Sequence, residues 1–237
     1  MALYALGDTH LSLGGNKAMD KFGHAWTGYV GKLEANLSAL SPDDVLILDG
    51  DISWGMSMEE ALPDFQFLDR VFPGKKYLVK GNHDYWWTTA NKMTTFWNAH
   101  GLRSYELLHN NCKFYGDVAL CGTRGWFFEE DADGHNEKVF NRELLRLEAS
   151  LKAAGEAEKL AFLHYPPLYQ GYRCPEIVAL LERYRVKTCY YGHLHGGSHR
   201  LAIEGSRNGV EYRLIAGDYL NFKPRLVLPD QQNSLSN

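Results

Sequence analysis

Lys80-Gly81-Asn82-His83-Asp84 follows Lys75-Lys76-Tyr77-Leu78-Val79 and precedes Tyr85-Trp86-Trp87. The first flank is short, apolar and partly β-branched, which reads as a buried strand. The second leads into a helical pattern from about Thr89. Between them an amide, an imidazole and a carboxylate sit side by side where a strand ends. Gly81 permits a sharp turn there, and Asn and His side chains are both metal ligands. Such a tetrad also fits an ordinary turn in which Asn adopts a left-handed conformation. The choice depends on whether other strands end the same way.

Four more do. Ala2–Leu6 is an apolar run ended by Gly7 and Asp8-Thr9-His10, where ligand-type side chains at i and i+2 of an extended segment share a side. Val45–Leu48 runs into Asp49-Gly50-Asp51, Leu160–Leu163 into His164-Tyr165-Pro166-Pro167, and Thr188–Tyr191 into Gly192-His193-Leu194-His195. Each has a plain structural reading alone, because a turn Asp caps backbone and a strand-end His is often a satisfied polar group. Five together point to one site, since open α/β folds gather their chemistry at the carboxyl ends of strands.

The intervening segments supply helices and further strands. Helical patterns cover Trp26–Leu40, with Leu33, Leu37 and Leu40 on one face, then Thr88–His100, Glu137–Ala153 and Pro175–Tyr184. Ser57-Met58-Glu59-Glu60 is a capping box that opens a helix carrying Leu62, Phe65, Leu68 and Val71 inward. Ser104–Leu108, Cys112–Tyr115 and Val118–Cys121 read as a run of hairpins turning at Asn110-Asn111 and Gly116-Asp117. Leu201–Ile203 and Val210–Ile215 read as a closing hairpin, and Gly217-Asp218 as a turn. The expected fold is α/β with mixed sheets, one domain over residues 1–229 and a polar tail at 230–237.

With 237 residues, 45% hydrophobic and 23% charged, the chain can bury a sizeable core as an ordinary globular enzyme. A net charge of −4 argues against a nucleic-acid footprint or a polybasic membrane anchor. The opening residues leave no room for a signal peptide, so the expected location is cytoplasmic. The scattered Cys112, Cys121, Cys174 and Cys189 form no Cys-x-x-Cys pair.

The chemistry that needs five such strand ends is a two-ion site. Two cations about 3.5–4 Å apart require an anionic group between them, and a shared carboxylate suits. Mixed carboxylate, imidazole and amide donors fit manganese, iron or zinc better than calcium or magnesium. No cysteine belongs to the set, which excludes a structural thiolate zinc site.

In order and type, Asp8-Thr9-His10, Gly50-Asp51, Gly81-Asn82-His83-Asp84, His164 and Gly192-His193-Leu194-His195 resemble the motifs of calcineurin-like metallophosphoesterases, over residues 7–195. The resemblance implies a four-layer α/β/β/α sandwich, two mixed sheets flanked by helices, with a site for two divalent or trivalent transition-metal ions at its edge. It implies that Asp8, His10 and His195 bind one metal, that Asn82, His164 and His193 bind the other, and that Asp51 bridges. His83 would face the substrate as catalytic residue and donate a proton to the leaving oxygen. The implied reaction is hydrolysis of a phosphomonoester or small phosphodiester through in-line attack by a metal-bound hydroxide.

Members of that family acting as protein serine/threonine phosphatases place an Asp three residues after the bridging Asp to support the catalytic histidine, then Arg-Gly. Here Trp54-Gly55 stands there, so Asp84 either supports His83 instead or caps backbone. Arg124 is either a phosphate clamp or an arginine packed on neighbouring aromatics. Trp86, Trp87, Trp126, Phe127 and Phe128 form either a substrate-stacking wall, with Trp86 as a substrate-binding candidate, or core or a dimer patch; Tyr165 is expected to help shape the pocket. Two other readings share the ligands. A nuclease is disfavoured by the acidic balance, and a non-catalytic metal-binding scaffold by the presence of all seven donors.

Overall fold

In the computed structural model, which describes residues 1–127 and 135–230, every apolar run that precedes a polar motif is a parallel strand. The first half alternates β1 (Leu3–Leu6), α1 (Tyr29–Leu37), β2 (Val45–Asp49), α2 (Met58–Val71), β3 (Lys75–Val79), α3 (Ala90–Ala99) and β4 (Tyr105–Leu107). The second half contains β5 (Cys112–Tyr115), β6 (Val118–Thr123), α4 (His135–Ala153), β7 (Glu158–Leu163) and a minimal ribbon of β8 (Leu168–Tyr169) and β9 (Tyr172–Arg173). It continues through α5 (Pro175–Arg183), β10 (Val186–Tyr191), β11 (Gly205–Arg207), β12 (Val210–Leu214) and β13 (Arg225–Leu228).

Two mixed sheets result. One has the order β13-β1-β2-β3-β4, the other β11-β12-β10-β7-β6-β5. In the first only β13 runs antiparallel; in the second β5 and β11 do, at the two edges. Strand alternation explains the layering. On β2, Leu46 and Leu48 face outward to Leu33 and Leu37 of α1, Phe65 and Leu68 of α2 and Trp97 of α3. Val45 and Ile47 face the other way, to Leu120, Phe162, Tyr190 and Ile215 of the second sheet. Ala161, Leu163, Cys189 and Tyr191 cover the far side under Leu147 and Leu151 of α4 and Ile177 and Leu181 of α5. Helix, sheet, sheet and helix thus enclose three apolar interlayers, each fully buried Leu or Phe contributing on the order of 2 kcal/mol. Among the described residues, no helix is long and apolar enough to cross a membrane.

Local expectations hold with adjustments. Ser57 accepts the Glu60 main-chain N–H (3.3 Å), but the Glu60 carboxylate accepts from Met56 rather than returning to Ser57 (2.9 Å). Helix α1 begins only after Gly28, whose φ of 62° separates it from a 3-10 turn at His24–Trp26. β4 and β5 do not form a hairpin: Asn110-Asn111 carries the chain from the first sheet to the second. The closing hairpin turns at Asn208-Gly209, with Gly205–Arg207 as its first arm, while Leu201 ends a 3-10 helix. Strand β13 was not expected from the sequence; it pairs with β1 at Leu3↔Leu228 and Tyr4↔Leu226. Phe128, the acidic cluster after it and residues 231–237 lie outside the described residues.

Candidate metal centre

The ends of β1, β2, β3, β7 and β10 bring all seven expected donors to one place. Main-chain bonds lace the loops together: Asp8 donates to Gly50 O (2.9 Å), His10 to Asp51 O (2.8 Å) and Gly7 to Ile215 O (2.8 Å). Asp8, His10, Asp51 and His193 all hold left-handed backbone, with φ of 57°, 43°, 48° and 70°. Such conformations cost on the order of 1 kcal/mol each in non-glycine residues and concentrate where a site over-determines them. Glycine is required beside them for space. A Cβ on Gly81 would collide with the Asp51 main-chain nitrogen and carboxylate, and one on Gly192 with the Asp8 carboxylate.

Two donor groups emerge. In the first, His195 Nε2 lies 3.3 Å from Asp8 Oδ1 and 3.3 Å from His10 Nε2. In the second, His164 Nε2 lies 2.7 Å from Asn82 Oδ1, 3.3 Å from His193 Nδ1 and 3.5 Å from Asp51 Oδ2. The same Asp51 oxygen is 3.6 Å from His10 Nε2. The His83 main-chain N–H donates to the other one, Oδ1, at 2.7 Å, and so aims Oδ2 between the two groups.

The electrostatics suit cations. Burial pushes the His10, His164 and His193 imidazoles below their ordinary range, His193 to about 3, so their ring nitrogens offer lone pairs. Burial, helped by the charge of Asp8, raises the Asp51 carboxyl to about 8. Ring nitrogens paired at 3.3 Å, beside a carboxylate that burial makes reluctant to ionise, form a set that positive charge relieves. Asp8, His10 and His195 each keep a ligand atom within 4.8 Å of the others, as do Asp51, His164 and His193, and nitrogen–oxygen donor sets of this kind suit divalent metal ions.

Around this set the structure decides three residues whose roles the sequence left open. Asp84 does not support His83: its Oδ1 accepts from Ile52 N (2.8 Å) and Trp86 Nε1 (3.1 Å), and its Oδ2 from Gly81 N (2.7 Å). It ties the β2 and β3 loops together, because a buried carboxylate needs several donors and those amides are the nearest. Trp86 is no substrate wall; it is 2% exposed and packs edge-on against Phe65 in the outer core of the first sheet. Arg124 stacks on Trp126 (4.5 Å) and reaches Glu143 (3.5 Å), as its packing reading expected.

His83 stands at the mouth, 34% exposed, with Nε2 4.0 Å from Asp51 Oδ2 and Nδ1 3.2 Å from the Tyr85 hydroxyl. Trp54, at the position where an Asp is absent, packs on both His83 (4.4 Å) and His10 (5.0 Å). Phe127 and Tyr165 approach His193 at 5.2 and 4.6 Å, and Trp26 approaches His195 at 5.6 Å. Asp218 does more than form the turn expected of it: it accepts from His195 Nδ1 (2.9 Å) and Gly196 N (2.9 Å). The available signal was its Gly-Asp dipeptide behind an apolar strand, the same as Gly7-Asp8 and Gly50-Asp51.

The family model described as calcineurin-like phosphoesterase matches residues 1–197. The chain belongs to the calcineurin-like phosphoesterase family. Two solved structures resemble this calcineurin-like phosphoesterase. One is a protein of unknown function, AQ665, from Aquifex aeolicus, at 15% identity, 94% coverage of each chain and a TM-score of 0.52. The other is TT1561 of Thermus thermophilus, at 14% identity, 81% coverage of each chain and a TM-score of 0.53. These likenesses concern the fold alone. Among curated proteins none matches the chain. Family membership and the two His/Asp clusters together describe a metal-dependent phosphoesterase in general terms.

Proposed function

We propose that the protein is a phosphohydrolase that uses two transition-metal ions to cleave a phosphomonoester or small phosphodiester. The observation that carries this reading is the placement of one Asp51 oxygen 3.6 Å from His10 and 3.5 Å from His164, between two donor groups. Asp8, His10 and His195 would hold one ion, Asn82, His164 and His193 the other, with Asp51 shared. When bound, such a pair supplies a nucleophile at neutral pH and neutralises the charge that grows on phosphate.

The chain's own groups do the rest. Burial, with His164 nearby, lowers the His83 imidazole to about 4, so the ring is neutral at pH 7. With the Tyr85 hydroxyl donating to Nδ1, the ring's hydrogen would sit on Nε2, which faces the Asp51 side of the mouth. From there Nε2–H donates to the leaving oxygen as charge develops on it. Trp54 holds the ring at that angle by packing, in place of a carboxylate. Convergence of all seven donors favours an enzyme over a scaffold that keeps only the fold.

The test is a panel of chromogenic phosphomonoesters and phosphodiesters assayed with the manganese-loaded protein. Hydrolysis that a chelator abolishes and manganese restores is expected. Tight metal binding with no hydrolysis anywhere in the panel would overturn the proposal in favour of the scaffold.

A further inference from the structure

A cavity of about 580 Å³ opens between the β3 end, the start of α3 and α4, and its chemistry is not used by the metal centre. Lys80, Arg124 and Arg146 line it together with His109 and Trp87. Thr89, the N-cap of α3, and Ala90, its first residue, also form the wall, so the positive end of a ten-residue helix faces the same space. Among the described residues, the carboxylate that contacts these cations is Glu143, which accepts from Arg146 Nη1 (2.6 Å) and Arg124 Nη2 (3.5 Å) and from the Thr123 hydroxyl. Two of the three side-chain cations therefore share one carboxylate, and the third, Lys80, has none in contact among the described residues.

Donors are left over. Among the described residues, Lys80 Nζ has no hydrogen-bond or ion-pair partner and buried Arg124 Nε has no hydrogen-bond partner; buried His109 Nδ1 is unpartnered too, a donor or an acceptor according to the tautomer. The cavity's lining is joined to the metal centre through the backbone. Lys80 is two residues before Asn82, and Arg124 O accepts from Tyr165 N (2.8 Å), next to His164. Guanidinium groups and a helix N-terminus together match the oxygens of a tetrahedral oxyanion.

We propose that this cavity is a second anion site for a phosphate-class oxyanion, supplied either by the distal end of the substrate or as a free ion. The distal-end source rests on the phosphohydrolase reading; the site itself does not.

The experiment uses manganese-loaded protein and two substrate series: alkanediol bisphosphates of increasing length and the matching ω-hydroxyalkyl monophosphates. If the oxyanion is the substrate's own, one bisphosphate shows a KM at least about tenfold below its monophosphate twin. Lys80→Gln and Arg146→Gln then bring that ratio toward one, while Lys80→Arg retains it. If the oxyanion is free, the ratio is near one throughout. Equilibrium dialysis with labelled inorganic phosphate then finds one more ion per chain on wild type than on either Gln variant. No bisphosphate preference together with equal phosphate counts overturns the site. The wild-type comparison needs no variant, and Lys80→Gln breaks no ion pair among the described residues, whereas Arg146→Gln removes a partner of buried Glu143. Failure of both series to release phosphate would end the phosphomonoester reading, and the dialysis comparison would still decide the cavity.

Discussion

Asp218 holds His195 from behind: the imidazole Nδ1 donates to its carboxylate at 2.9 Å, leaving Nε2 turned toward Asp8. Burial opposes a charge on His195, but Asp8 and Asp218 together raise the imidazole to about 10. A ligating histidine oriented this way loses roughly 10- to 100-fold in metal affinity when its outer partner is removed. Asp218→Asn should therefore weaken retention of one ion by that factor in a chelator competition, with circular dichroism unchanged. Wild-type retention would mean that Asp218 only caps the Gly196 amide.

Replacing Asp51 tests the shared carboxylate. Elemental analysis of the purified protein should find about two transition-metal ions per chain. Asp51→Asn keeps the shape and the bond from the His83 amide but removes the anion between the clusters. Metal content should fall by half or more, and phosphatase activity should be lost with it. An Asn variant that retains both ions would show that Asp51 does not bridge.

His83 should separate chemistry from metal binding. His83→Ala is expected to hold metals as tightly as wild type while kcat falls roughly 10²- to 10⁴-fold. Substrates with very acidic leaving groups need less help and should suffer less. Equal turnover of variant and wild type on a poor leaving group would remove His83 from the mechanism.

A pH-dependent term in stability comes from far outside the site. Lys76 is buried, its ammonium donating to Gly74 O (3.0 Å) and the Ser104 hydroxyl (2.9 Å) and pairing with Asp69 (3.3 Å). Burial lowers its pKa from 10.5 to about 8, despite the opposing Asp69 charge. Between those values the unfolded chain binds more protons than the folded one, so this residue's contribution to stability rises as pH rises. Comparing denaturant unfolding of wild type and Lys76→Met across that window should show wild type gaining on the order of 3 kcal/mol relative to the variant. A pH-independent difference would mean that the lysine has the same proton affinity folded and unfolded.

Strand ends carried most of what could be read in advance. Val45–Leu48 is apolar at every position because β2 is covered on both faces, and the polar residues that follow can only be at the edge. The seven donors were legible for that reason. Asp84 was not, because its partners Ile52 and Gly81 meet only after β2 and β3 pair. Nor was the difference between adjacent aromatics, where one turn sends Trp86 into the core and leaves Tyr85 exposed. Trp54 and Trp26 reach the site histidines from loops whose course no periodic pattern encodes. The separation of β4 from β5 was equally hidden, since neighbouring strands of similar composition join different sheets.

The donors are divided between the two layers: Asp8, His10, Asp51 and Asn82 follow strands of the first sheet, and His164, His193 and His195 follow strands of the second. Bound ions would therefore act as rivets across the sandwich, and their grip would gauge its alignment. Any shear of one layer over the other, by heat, denaturant or a substitution deep in the apolar seam, would register as lost metal before the outer helices come away.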